Sequence, residues 1–137
     1  MKQKSFDDFR EGDVFSKKFK ITDKMVTEYA YLVGDKNPIH LDPSYASKSI
    51  FGQRVAHGTL LSGLISSLLG MEFPGEGTIL LSQKVKFLKP VFINDEIKMT
   101  LTLFKKEVGK NFLIIDTSCF KDDNFQVLEG TATVKFE

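Results

Sequence analysis

From Ala56 to Met71 the chain carries no Asp, Glu, Lys or Arg. Within that stretch, Leu60, Leu61, Leu64, Ile65, Leu68 and Leu69 recur at the spacing of one helical face. Ser62, Gly63, Ser66 and Ser67 fall on the other side. A helix without charges is buried over most of its circumference, so the spacing predicts an interior helix over Gly58 to Gly70. At 1.5 Å per residue such a helix extends roughly 20 Å, about the width of a modest sheet and too short to span a bilayer. Whatever fold this chain adopts must wrap a layer around that helix.

The segments that follow supply the layer. Thr78 to Leu88 sets Ile79, Leu81, Val85 and Phe87 on one face, with Lys84 and Lys86 on the other. Glu96 to Lys105 alternates through Ile97, Met99, Leu101 and Leu103, and Phe112 to Phe120 is apolar on both faces in its first half. Gln126 to Phe136 alternates through Leu128, Ala132, Val134 and Phe136. Period-two runs separated by turn residues predict consecutive antiparallel strands. Before the helix, Val14 to Ile21 reads as a further strand. Thr22 then caps a short helix that runs through Val33 and ends at Gly34. From Asp35 to Ala56 the pattern is irregular, broken at Asn37-Pro38 and Asp42-Pro43. A buried helix and an antiparallel meander together predict an α+β architecture.

No repeat or low-complexity linker divides the 137 residues, so one domain over 1–137 is expected. A net charge of +1 leaves no basic footprint for nucleic acid. Cys119 is the sole cysteine, which excludes an internal disulfide and a thiolate cluster, and its alternating apolar surroundings predict a buried, inert thiol. Met1 to Arg10 has no apolar core of the kind a secretory signal needs, and the expected location is cytoplasmic.

Polar chemistry concentrates between Gly34 and Gly58, GDKNPIHLDPSYASKSIFGQRVAHG. Asp35 and His40 flank Pro38, whose ring fixes its own φ and biases Asn37 toward extended backbone. A carboxylate beside an imidazole suits hydration of a conjugated double bond: water must lose a proton while the carbon next to the carbonyl gains one. From spacing alone, an aspartate capping a turn and an ordinary surface histidine explain the same residues more simply. Gly58 opens the helix without a side chain, so a ligand atom can approach its amide and the positive end of the helix dipole. A tight entry turn accounts for Gly58 equally well, and for His57 a capping or packing role is the better explanation. Ser62 and Ser66 could offer hydroxyls to substrate or water, although serines in such helices usually bond to their own backbone. Asp35, His40, Asp42 and His57 match no helical two-histidine metal pattern, and there is no phosphate-cradling glycine motif.

Taken whole, the stretch resembles the MaoC-like (R)-specific enoyl-CoA hydratases of the hot dog superfamily. The residues that carry the resemblance are Gly34-Asp35, Asn37-Pro38-Ile39-His40, Asp42, Tyr45-Ala46, Phe51-Gly52, Val55-Ala56-His57-Gly58 and Leu60. Phe87-Leu88-Lys89-Pro90-Val91, with Asp95 beyond, continue it. The resemblance implies a hot dog fold, with the sheet wrapped around the central helix. It also implies a homodimer joined sheet edge to sheet edge, with the active site near the interface. It places the catalytic pair on Asp35 and His40, the thioester carbonyl at the Gly58 amide, and a helix serine near the site at Ser66. Asn37 would hold the loop. The reaction implied is syn addition of water to a trans-2-enoyl-CoA, giving the (R)-3-hydroxyacyl-CoA, with Asp35 as base and His40 as acid. No cofactor and no metal are called for, and no nucleic-acid or membrane partner. Ile65, Leu68 or Leu69 are candidates for setting acyl length. Dehydration of 3-hydroxyacyl groups on an acyl carrier protein, thioester hydrolysis, and a non-catalytic acyl-thioester-binding module are the alternatives.

Overall fold

The computed structural model describes residues 4–136. Residues 1–3 and 137, at the two ends of the expected domain and of the Met1 to Arg10 segment, lie outside the described residues. After a 3₁₀ turn at Phe6–Asp8 come β1 (Val14–Lys20), α1 (Asp23–Val33), α2 (Pro38–Leu41), α3 (Pro43–Ser47) and α4 (Gly58–Met71). The strands β2 (Thr78–Phe87), β3 (Glu96–Glu107), β4 (Phe112–Phe120) and β5 (Gln126–Phe136) complete the chain. The strands form one antiparallel sheet in the order β1-β3-β4-β5-β2.

The uncharged helix packs its leucine and isoleucine face into the core, as its sequence requires, while Thr59, Gly63, Ser67 and Met71 are exposed. Leu60, Leu61, Ile65, Leu68 and Leu69 of α4 join Ile97, Met99, Leu101 and Leu103 of β3 in one core. Leu113, Ile115 and Cys119 of β4 belong to the same core, as do Leu128, Ala132, Val134 and Phe136 of β5. Each fully buried leucine or isoleucine contributes roughly 1.5–3 kcal/mol relative to exposure. The sheet therefore curls around α4, the hot dog arrangement. Burial pushes the Cys119 thiol up to about 12, so it is inert as expected. Among the described residues no helix is long and apolar enough to cross a membrane.

Three expectations need adjustment. The four strands after α4 are not one meander: β3, β4 and β5 are consecutive neighbours, but β2 pairs with β5 and not with β3. The irregular stretch contains α2 and α3, because each Pro sits at the start of a helix just after a capping side chain. Asn37 Oδ1 accepts from the Ile39 amide at 3.3 Å, and Asp42 Oδ1 accepts from Ser44 and Tyr45 at 2.9 and 3.2 Å. In β2 the expected alternation fails where the register slips between Leu80 and Ser82. The bulge leaves Ile79, Leu80 and Leu81 all exposed, at 49%, 38% and 48%.

α4 runs beside β2 and is fixed to it near its start. The Gln83 side chain donates to the Ser62 carbonyl at 3.3 Å. One turn earlier, a Cβ added to Gly58 would lie 2.7 Å from the Phe87 ring. Beyond β2, the turn over residues 91–95 is held by Asp95, which accepts from the Phe92 amide and from Lys121, both at 2.8 Å.

Candidate active site

The site is assembled from the end of α1, the bend that follows, and the start of α4. Thr22 caps α1 by accepting from the Met25 amide, and Gly34 ends the helix in the left-handed region at φ 83°. That reversal sends Asp35 to Asn37 out as an exposed bend before α2 turns His40 back inward. The His40 Nδ1–H donates to the Val55 carbonyl at 2.7 Å. Because a carbonyl only accepts, this bond fixes the tautomer and leaves Nε2 as the free ring nitrogen.

His57 is buried, with 2% exposure, and provides α4 with no side-chain cap. Its Nε2–H donates to the backbone carbonyl of Asp35 at 2.9 Å, and its Nδ1 is buried without a partner. Its ring stacks on His40 with centroids 3.7 Å apart, while the Tyr29 ring meets it edge-on at 4.9 Å. Burial lowers the His57 pKa below the usual histidine value, and the nearby His40 adds to the effect. The hydrogen bond to the Asp35 carbonyl and the Asp35 charge act the other way.

Side-chain donor atoms of Asp35, His40 and His57 all fall within 4.8 Å of one another. A shared metal ion fits them poorly. The two stacked rings present nearly parallel planes, so their in-plane lone pairs do not converge on one point, and each ring already spends a nitrogen on a carbonyl.

A cleft of about 470 Å³ opens over these groups. Asp35, His40, His57 and Gly58 form its polar end, with Leu61, Phe87, Leu88 and Val91 as an apolar wall. The first turn of α4 opens onto it: Gly58 and Thr59 line the cleft, and amides of a helix's first turn have no intrahelical acceptor. Thr59 accepts from the Tyr29 hydroxyl at 2.7 Å. A carboxylate and an imidazole thus sit beside a donor-rich helix end at the mouth of an apolar groove, an arrangement suited to a polarised carbonyl with a reactive carbon two bonds away.

Of the residues singled out from sequence, Asp35, His40, His57 and Gly58 meet in the cleft, and Asn37 caps α2. Ser62 and Ser66 lie further along α4 and do not line the cleft. Nor do Ile65, Leu68 and Leu69, which are at most 1% exposed inside the core. Phe51, Thr59, Leu61, Leu88 and Lys89 line it without having been assigned a part. The Phe51-Gly52 and Phe87 to Val91 segments were the sequence signals that pointed to some of them.

Residues 10–117 match the MaoC like domain. The chain is 37% identical over 129 residues to the (R)-specific enoyl-CoA hydratase of Rhodospirillum rubrum, covering 94% of this chain and 89% of that one. It is 35% identical over 130 residues to the 3-hydroxybutyryl-CoA dehydratase of Methylorubrum extorquens, covering 95% and 82%. The solved structure of the (R)-hydratase from A. caviae superposes with a TM-score of 0.90 at 32% identity, over 94% of this chain and 98% of that one. The chain therefore belongs to the MaoC-like domain family, and with it to the hydro-lyases built on the hot dog fold.

Proposed function

We propose that this protein hydrates trans-2-enoyl-CoA thioesters to (R)-3-hydroxyacyl-CoA, reversibly, with Asp35 and His40 as the acid/base pair. The observation that carries the reading is the approach of these two side chains, within 4.8 Å, beside the amino end of α4. Asp35 carboxylate takes a proton from water as the water oxygen bonds to the β-carbon. The alkene electrons move to the α-carbon, and the negative charge that develops on the thioester oxygen is held by the Gly58 amide. A protonated His40, its Nδ1–H still on the Val55 carbonyl, delivers its Nε2 proton to the α-carbon. Transfer from Asp35 back to His40 then restores the pair. Water and acid reach the substrate from one bend and hence from one side, which makes the addition syn. The carbonyl activates the alkene, so the chemistry draws on no cofactor.

Two copies would join along β2, which pairs only with β5 among the described strands and exposes Ile79, Leu80 and Leu81. The acyl chain would lie along Leu61, Leu88 and Val91.

The test is loss of the conjugated absorbance of crotonyl-CoA, followed with a thiol reagent present. Hydration removes the absorbance without thiol, a thioesterase releases CoA, and a binding module does neither. Asp35→Asn and His40→Gln should each lower kcat by about 10²–10⁴-fold. Wild type inactive on short and medium enoyl-CoAs, or full activity in both variants, overturns the reading.

A further inference from the structure

We infer that Arg54 and His57 are positioning residues for the Asp35/His40 pair, each holding the backbone carbonyl of one member. The inference rests on the reaction proposed above. Segment 54–57 runs alongside bend 35–40 and is joined to it by four hydrogen bonds. Arg54 Nε–H donates to the His40 carbonyl at 2.7 Å, and His57 Nε2–H donates to the Asp35 carbonyl at 2.9 Å. Between them, the Val55 amide donates to the Ile39 carbonyl at 3.2 Å, and the Val55 carbonyl accepts from the His40 ring.

The bend has little packing of its own, since Asp35, Lys36, Asn37 and Pro38 are all exposed. The segment opposite is anchored. The Ala56 amide donates to the Val91 carbonyl at 2.7 Å, and Val55 bridges to Phe92. Arg54 reaches past the bend to pair with Asp23, the first residue of α1, at 2.7 Å. His57 is wedged between Tyr29 and His40. Rigidity therefore passes from the sheet and α1 into the bend through these two side chains. A carbonyl is joined to its own side chain through a single Cα, so a donor that fixes the carbonyls of Asp35 and His40 limits where carboxylate and imidazole can go. Misplacing such a group by about 1 Å costs on the order of 10²-fold in rate. Arg54 does not line the cleft, which separates its part from substrate contact.

The test uses the full chain with Arg54→Met, Arg54→Ala, His57→Met and His57→Gln. Glutamine keeps a donor near the position of Nε2, and methionine does not. Two readouts are taken: amide hydrogen exchange over residues 35–41, and kcat and KM with crotonyl-CoA. Arg54→Met and His57→Met should each raise exchange by about tenfold and lower kcat by roughly 10²-fold, with KM changed by less than about threefold. His57→Gln should keep most of the wild-type rate. Ethylguanidinium should restore part of kcat to Arg54→Ala, whose vacated space opens to solvent because the Arg54 side chain is 15% exposed. If a methionine variant does not fold, the glutamine variant and the rescue still decide. Unchanged exchange, unchanged kcat, or a loss confined to KM overturns the inference. An inactive wild type removes the proposed reaction instead, and exchange alone then decides whether the two donors hold the bend.

Discussion

His40 and His57 lie face to face, ring centroids 3.7 Å apart and planes inclined by 24°. Stacked imidazoles at this distance repel when both are charged, and burial already disfavours a cationic His57. The inner ring is therefore held toward its neutral form. The neutral form has one N–H, and the Asp35 carbonyl claims it.

Acidification should expose this arrangement. The folded pKa of His57 is below the ordinary value of about 6.5, so under that pH the unfolded chain binds a proton that the folded chain refuses. Stability should fall as pH drops from about 6.5 toward the folded pKa, and no further below it. His57→Gln lacks the group. Urea midpoints measured at about pH 7.5 and about pH 5.5 should fall more for wild type than for the variant. Equal falls would show that His57 does not contribute.

Gly58→Ala should separate fold from chemistry. The added Cβ meets Phe87 Cε1 at 2.7 Å, but that ring is 50% exposed and can swing away. A loss of about 1–2 kcal/mol in stability is expected, while kcat should fall about 10²-fold because the methyl crowds the approach to the helix amide. Adding Phe87→Ala should recover the melting temperature and leave kcat low. Recovery of both would assign the defect to the clash alone.

Gly130→Ala is the opposite case. Gly130 pairs with Thr117 on one side and Val85 on the other, and a Cβ there would run into the Lys84 carbonyl oxygen. That obstacle is backbone, so β2 itself must move. A cost of about 3 kcal/mol, read as a melting temperature lower by about 10 °C, is the expected outcome. A KM increase should accompany it, since β2 leads into the Leu88–Val91 wall of the cleft. An unshifted melting temperature would mean that the edge strand yields freely.

How much of this was legible in the sequence differs by element. α4 announced itself through the absence of Asp, Glu, Lys and Arg, β3 through strict alternation as far as Leu103, and β5 through alternation from Ala132 on, because burial imposes both patterns directly. α2 and α3 are too short to show helical periodicity; their signal was a capping side chain before each proline, read only as a break. The bulge at Leu80–Ser82 cancelled the alternation expected of β2. Residue type raised Asp35 and His40 as candidates and the family resemblance gave them their part, whereas Arg54 was given no role and His57 only capping or packing. Their partners lie at separations of 14 and 22 residues, and no local pattern encodes such contacts.

The exposed edge of the sheet carries the last prediction. Among the described strands β2 has a neighbour on one side only, and the row Ile79, Leu80 and Leu81 stands open on it. An apolar edge with unpaired amides is an adhesive surface. Lys84 and Lys86 further along the strand, together with the bulge, restrict pairing to the Ile79–Leu81 end and so discourage open-ended stacking. A single two-fold partner satisfies both features. Sedimentation at micromolar concentration should return a dimer, and Leu80→Lys with Leu81→Lys should shift it toward monomer by at least tenfold in Kd, or about 1.4 kcal/mol. Because β2 runs beside α4 and leads into the cleft wall, kcat should fall in step with the dimer fraction and recover at high protein concentration. A wild type that sediments as a monomer at the concentrations where it turns over would remove the edge from any part in function.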